Sequence, residues 1–293
     1  MKLSRREMLK TTASVTAAAW VTSLSPLYAG KVADKVLAKG KTEAAKKIPI
    51  GLQLYSVKKE CSKDMAKTIA KVAKMGYEGV EFAGFFKHDA GDVCKMLKDN
   101  GIVCCGSHVG VDSLKGDKYK ETLEFHQKLG CPYAIIPSLP SDMRRTTDDL
   151  KKTIEWFNKL NEQIKQYKDM QLGYHAHAQD FHKLDGKTIW EAVFDNTPES
   201  FVMQLDVGNC LSGKDDPYAI LKKYPGRSKT VHLKEFAEKR DTPIGEGKVD
   251  WKKVAKLCQT VGGTQWYVVE HEKAKKPFVS VEKCIDNLHK LGY

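Results

Sequence analysis

Eight short apolar runs, separated by segments whose apolar residues recur at helical spacing, constrain this chain more than any other feature. The runs are Ile48–Ser56, Gly79–Ala83, Ile102–His108, Tyr133–Pro137, Gln171–His177, Phe201–Val207, Lys229–Phe236 and Gln265–His271. Between them lie patterns such as Met65, Ile69, Val72 and Ala73 ahead of Gly76, or Leu150, Ile154, Phe157 and Leu160. Strands that alternate with helices pair in parallel through right-handed crossovers. Eight such units in residues 48–293 are expected to close into one (β/α)8 TIM barrel. Gly76, Gly101, Gly130 and Gly262 follow predicted helices and are expected to end them in the left-handed conformation. An open doubly wound sheet would carry a glycine-rich phosphate turn after its first strand, and Leu54-Tyr55-Ser56-Val57 is no such turn. Trp156, Trp190, Trp251 and Trp266 are expected to pack between helices and barrel.

Residues 1–30 read as an address. Ser4-Arg5-Arg6-Glu7-Met8-Leu9-Lys10 resembles a twin-arginine signal, followed by a weakly apolar Ala/Thr/Ser stretch, Thr11 to Leu27, and a cleavage region at Tyr28-Ala29-Gly30. The apolar run is short and interrupted by Pro26, which argues against a stable membrane span in the mature form. Residues 31–47 form a Lys/Ala-rich linker. The expected location is therefore exported and periplasmic. Of the net charge of +12, residues 1–48 contribute seven, from ten Lys and Arg against three Asp and Glu. The five that remain fit a lysine-rich solvated surface and call for no nucleic-acid partner. Eight scattered cysteines contain no C-x-x-C pair and sit in apolar patterns, so free buried thiols are expected rather than an essential disulfide.

The residues at the strand ends are unusually polar, and strand ends line the active site of a barrel. They include Glu81, Ser107-His108, His175-Ala176-His177, Asp206, His232-Leu233-Lys234-Glu235 and Glu270-His271-Glu272. Side chains two apart share one face of a strand, so His175 and His177 point together. If that face is inward, both imidazoles lie beside Asp206, His232 and Glu270. Imidazole and carboxylate together suit a divalent transition metal, Zn, Mn, Fe or Co, better than Ca or Mg. Lys234 shares the inward parity of His232. Phe85-Phe86 offers an apolar wall for a sugar ring or a partner, and Glu246 and Lys248 lie in a long loop expected to fold over the site.

Several segments together are similar to the xylose isomerase-like TIM barrel superfamily, which includes sugar phosphate isomerases/epimerases, ketose 3-epimerases, inosose dehydratases and endonuclease IV. They are Gly51-Leu-Gln-Leu-Tyr-Ser56, Gly76-Tyr-Glu-Gly-Val-Glu-Phe82, Ser107-His-Val-Gly110, Tyr174-His-Ala-His177, Leu205-Asp-Val-Gly-Asn209, His232-Leu-Lys-Glu235, Gly245-Glu-Gly-Lys-Val-Asp-Trp251 and Val269-Glu270. The resemblance covers 49–293. It implies one divalent metal held by His175, Asp206, His232 and Glu270, with His175 standing where the family carries a glutamate. The chemistry of the strand ends makes Glu270 the candidate base, with His108, His177 and Glu81 to shuttle protons, and Gln53, Lys234, Glu246 and Phe85 candidate substrate contacts. The expected activity is sugar isomerisation or epimerisation through an enediolate, and export favours a non-phosphorylated carbohydrate as the small-molecule substrate. A keto-sugar (3-keto-glycoside) lyase or hydratase shares the first half-reaction, and a degenerate sugar-binding barrel is the third alternative. Asn209 replaces a histidine of the nuclease branch, which counts against phosphodiester cleavage. The motifs leave the oligomeric state open.

Overall fold

A computed structural model describes residues 47–293, so the twin-arginine stretch 1–30 and all but the last residue of the linker lie outside the described residues. Ten strands follow in chain order: β1 Ile50–Gln53, β2 Gly79–Phe82, β3 Val103–His108, β4 Tyr133–Ile136, β5 Gln171–His175, β6 Lys183–Leu184, β7 Lys187–Thr188, β8 Val202–Asp206, β9 Thr230–Leu233 and β10 Trp266–Val269. Strands β6 and β7 form a small antiparallel hairpin. The other eight make a closed parallel barrel in which β10 returns to pair with β1. This is the (β/α)8 architecture that the alternating pattern requires.

The helices are α1 Lys58–Lys63, α2 Met65–Lys74, α3 Ala90–Asp99, α4 Lys118–Lys128, α5 Thr147–Gln163, α6 Ile189–Asp195, α7 Val207–Ser212, α8 Pro217–Lys223, α9 Trp251–Leu257 and α10 Pro277–Leu291. Side-chain oxygens start many of them. Asp64, Asp89, Thr146 and Asp250 each accept from a backbone N–H in the first turn of α2, α3, α5 and α9. Thr188 and Glu191 form a reciprocal capping box on α6. The buried stripe of α2 is Met65, Thr68, Ile69 and Val72, at the helical spacing seen in the sequence. Gly76, Gly101 and Gly130 have positive φ, as a left-handed helix end demands. Gly262 does not. The chain after α9 widens into a π-type turn, Cys258–Gly262, and the left-handed residue is Gly263, at φ 66°.

Inside the barrel, side chains stack in layers. Tyr133, Ile135 and Val202 pack together with Trp266. Trp266 thus lies within the barrel and not under a helix, because it starts β10 with inward parity; Trp190 and Trp251 are buried in the main core. Glycines make room for these bulky groups. A Cβ on Gly173 would sit 2.6 Å from both Ile135 Cδ1 and the Val202 carbonyl oxygen. Between β2 and β3 the register shifts, so Glu81 pairs with Gly106, where a Cβ would come within 2.8 Å of Glu81 Oε1. All eight cysteines are free thiols, and all but Cys94 are buried.

Gly173→Ala is expected to cost about 1–3 kcal/mol or more, since part of what the new methyl meets is backbone. Urea denaturation checks this, and a variant as stable as the parent protein would contradict the interior packing described.

Candidate metal and active site

Parity brings Gln53, Glu81, His108, His175, Gln204, Asp206, His232 and Glu270 to one end of the barrel interior. Register sets them level, with Gln53 beside Glu81, His175 beside Gln204, and Asp206 beside His232. Glu81 is fully buried, and its carboxylate is the hub. Oε2 accepts from Gln53 Nε2 at 2.7 Å and from His232 Nε2 at 2.6 Å, and His108 Nε2 lies 3.2 Å away. Oε1 accepts from Gln204 Nε2 at 2.7 Å. Burial raises the cost of this charge, but His108 and His232 outweigh it and hold the carboxyl well below the usual carboxylate range.

The opposite ring nitrogen of His232, Nδ1, lies 2.7 Å from Glu270 Oε2 and 4.0 Å from Asp206 Oδ2. Burial pushes this imidazole down, yet Glu81 and Glu270 on either side lift it to about 10. His232 is thus held between two carboxylates, one at each ring nitrogen. Asp206 Oδ1 accepts from the Asn209 N–H at 2.7 Å, while Oδ2 is buried with no hydrogen-bond partner. Burial pushes the Asp206 carboxyl up to about 7, with Lys234 opposing and Glu270 reinforcing the rise. His175 Nε2 lies 3.8 Å from Glu270 Oε2.

One donor atom from each of His175, Asp206, His232 and Glu270 falls within 4.8 Å of the other three, and all four residues are buried. This cluster is able to bind a metal ion. The orphaned Asp206 oxygen shows the fit, because a buried carboxylate oxygen with no partner calls for a cation. Two imidazoles and two carboxylates are a donor set for a transition ion. His232 also has the carboxylate behind it, Glu81, that orients a metal-bound imidazole. A second trio, His108, His175 and His232, is equally close, but it contains no carboxylate to balance an ion's charge, and His108 Nε2 is taken up by Gln204.

A cleft of about 810 Å³ opens over this cluster, its wall including His108, His175, His177, Glu270, Glu272 and Phe85. Phe85 packs against Phe82 and Phe125, so its ring is held in place. His177 Nδ1 is buried without a hydrogen-bond partner, and burial lowers this imidazole into its neutral form. Lys234 reaches Glu272 at 3.1 Å and Glu270 at 3.7 Å, and it faces a smaller compartment of about 290 Å³ beyond those two carboxylates.

Three of the sequence candidates lie away from the walls of both compartments. Gln53 is fully buried and spent on Glu81 and the Tyr55 N–H, so it is no part of the cleft wall. Glu81 is equally sealed off and cannot touch a substrate; it holds His232 and His108. Glu246 turns outward to Lys283, at 2.7 Å, and Asn287. The loop after β9 does border the smaller compartment, through Phe236, Arg240 and Thr242. Glu235 fastens that loop, accepting from the backbone N–H groups of Gly245 and Val249 and from the Trp251 indole. Gln204 and Glu272 lie at polar strand ends to which the sequence assigned no role. Their signal was parity, two residues before Asp206 and two after Glu270.

The fold is a (β/α)8 barrel whose mouth carries side chains able to bind a metal, and comparison with known proteins agrees on the fold. The chain belongs to the xylose isomerase-like TIM barrel family, whose model matches residues 69–289. It is similar to an inosose dehydratase of Geobacillus kaustophilus (strain HTA426), 27% identical over 192 residues, 58% of this chain and 61% of that enzyme. It is also similar to the crystal structure of a sugar phosphate isomerase/epimerase from Parabacteroides distasonis ATCC 8503. That match is 29% identical with a TM-score of 0.73, covering 83% of this chain and 98% of the other. The IolI protein, crystallised with a zinc atom, shares the fold at 13% identity and a TM-score of 0.64, covering 84% of this chain and 96% of that one.

Glu81→Leu is expected to lose about 3 kcal/mol of stability, because it strands buried donors on four side chains. Glu246→Ala is expected to lose less than about 1 kcal/mol, as a half-exposed ion pair should. Guanidinium denaturation of both variants checks the contrast.

Proposed function

We propose that the chain is a divalent-metal-dependent enzyme that removes a proton next to the carbonyl of a non-phosphorylated sugar or keto-sugar and returns it elsewhere, as an isomerase or epimerase. The observation that carries this is the convergence of His175, Asp206, His232 and Glu270 around an unpartnered Asp206 oxygen, with His175 and Glu270 lining the cleft. An ion there, Mn, Zn, Co or Fe, would supply positive charge opposite the oxygen that turns negative as the enediolate forms. His175, Asp206, His232 and Glu270 would hold it.

The remaining work falls to the protein's own groups. Glu270 borders the cleft and takes the proton from the carbon beside the carbonyl. His177, neutral and unpartnered at Nδ1, is the second acid–base group: it takes the proton of the hydroxyl beside the carbonyl and, as the imidazolium so formed, gives it to the carbonyl oxygen, while Glu270 returns its own proton to the neighbouring carbon. Phe85 and Tyr55 offer aromatic faces to the C–H side of a sugar ring. Among the described residues the cleft wall carries one cation, Lys118, against Glu121, Glu270 and Glu272. Apart from the ion, such a wall offers a phosphate no cluster of cations, which supports a neutral substrate. Export by the twin-arginine stretch, proposed from residues 4–10, would place the enzyme where free sugars are met.

A second reading is elimination, a lyase or hydratase acting on a keto-sugar. It is favoured by the chemical inequality of the two proton-handling groups. Glu270 would abstract the proton and, as the carboxylic acid so formed, hand it to the oxygen that leaves the β-carbon, with His177 orienting the hydroxyl that bears that oxygen. The similarity to an inosose dehydratase supports the same reading.

The test is to incubate manganese-supplemented protein with free, keto- and glycosidic sugars in D₂O and follow the products by NMR. Deuterium in an isomer or epimer supports the first reading, and an unsaturated product the second. Glu270→Gln is expected to lower kcat about 10²–10⁴-fold. No turnover of any sugar, with stoichiometric metal bound, would leave only a sugar-binding barrel.

A further inference from the structure

Gln204 stands at the centre of the site but touches neither cleft nor candidate ion position. Its side chain is fully buried on β8. Nε2 donates to Glu81 Oε1 at 2.7 Å. The amide cannot face the other way, because Oε1 would then oppose a carboxylate oxygen at that distance. Oε1 is thereby fixed toward two imidazoles, 2.8 Å from His108 Nε2 and 3.0 Å from His175 Nδ1. An amide oxygen only accepts, so each of those nitrogens must carry the hydrogen. In a neutral ring the other nitrogen then holds the lone pair.

We propose that Gln204 is a positioning residue that sets the tautomer and tilt of His175 and of His108, and that it is what allows a histidine to act as an ion ligand on β5. This rests on the metal-site reading above. The chain of constraint runs from Glu81, which orients the Gln204 amide, to Gln204, which takes the Nδ1–H of His175. His175 Nε2, the nitrogen nearer Glu270, is left as a lone-pair donor. A glutamate on β5 would instead set carboxylate oxygens against Gln204 Oε1. His175 and Gln204 therefore form a matched pair, and neither serves the site without the other. His108, which borders the cleft, keeps its Nε2–H on Gln204 in the same way and is left with Nδ1 as an acceptor.

Two measurements test this. In the metal-free wild-type protein with ¹⁵N-labelled histidine, long-range ¹H–¹⁵N spectra should show His175 protonated at Nδ1 and His108 at Nε2. The opposite tautomer at His175 would overturn the proposal. In the second, Co²⁺ is added to the wild type, Gln204→Met, Gln204→Glu, His175→Ala and the Gln204→Met/His175→Ala double variant. Visible absorption reports the ligand field, and competition with a chromogenic chelator reports affinity. Gln204→Met should bind Co²⁺ about 10–100-fold more weakly and move the visible bands toward those of His175→Ala. The double variant should be little weaker than His175→Ala. Gln204→Glu sets a carboxylate oxygen against Glu81 where Nε2 donated, and should disturb the bands as Gln204→Met does. A wild-type spectrum and affinity in a folded Gln204→Met overturns the proposal while leaving the metal site standing. A wild type that takes up no Co²⁺ removes the metal-site reading itself.

Discussion

The carboxylate of Glu81 has no access to water, and the upper half of the barrel is arranged to answer it. Four neighbours, Gln53, His108, Gln204 and His232, come within hydrogen-bonding reach of its two oxygens. A buried charge without such partners would cost several kcal/mol. That requirement fixes the glutamine amides and the ring of His232. It also explains the register shift on β3, which sets a glycine opposite the carboxylate. Glu81 is sealed from the cleft, yet it aligns His108 directly and Glu270 through His232.

From that hub the site acquires two unequal faces. On one side, His232, Asp206, His175 and Glu270 form a compact set of donors, with an unpartnered oxygen that calls for a cation. On the other, His108, His177 and Phe85 face an open cleft with little positive charge. The hydrophobic layer beneath, from Tyr133 to Trp266, closes the bottom of the barrel and keeps the polar layer dry. Low dielectric strengthens each interaction above it.

Much of this was legible in the sequence, because strand parity is a simple rule. The alternation in Tyr174–His177, Gln204–Asp206 and His232–Lys234 put the right side chains inside, and eight repeats closed the barrel. Depth and partner were not legible. Gln53, Glu81 and His108 share inward parity, but only closure of the barrel shows that His108 meets the cleft while the other two lie beneath it. Gln204 depends on Glu81, more than a hundred residues earlier in the chain, for its orientation, which a local pattern cannot contain. Glu246 sits in a loop, where parity gives no direction, and its orientation follows from α10. The exchange of Gly262 for Gly263 comes from one wide helical turn that apolar spacing does not reveal.

The central claim is that four side chains from neighbouring strands converge on one ion. X-ray absorption at the metal edge of zinc-loaded protein measures this directly. The account predicts a first shell of nitrogen and oxygen at about 2.0–2.2 Å with the outer-shell scattering of two imidazole rings. A shell of sulfur, or of oxygen alone with no imidazole scattering, would contradict it.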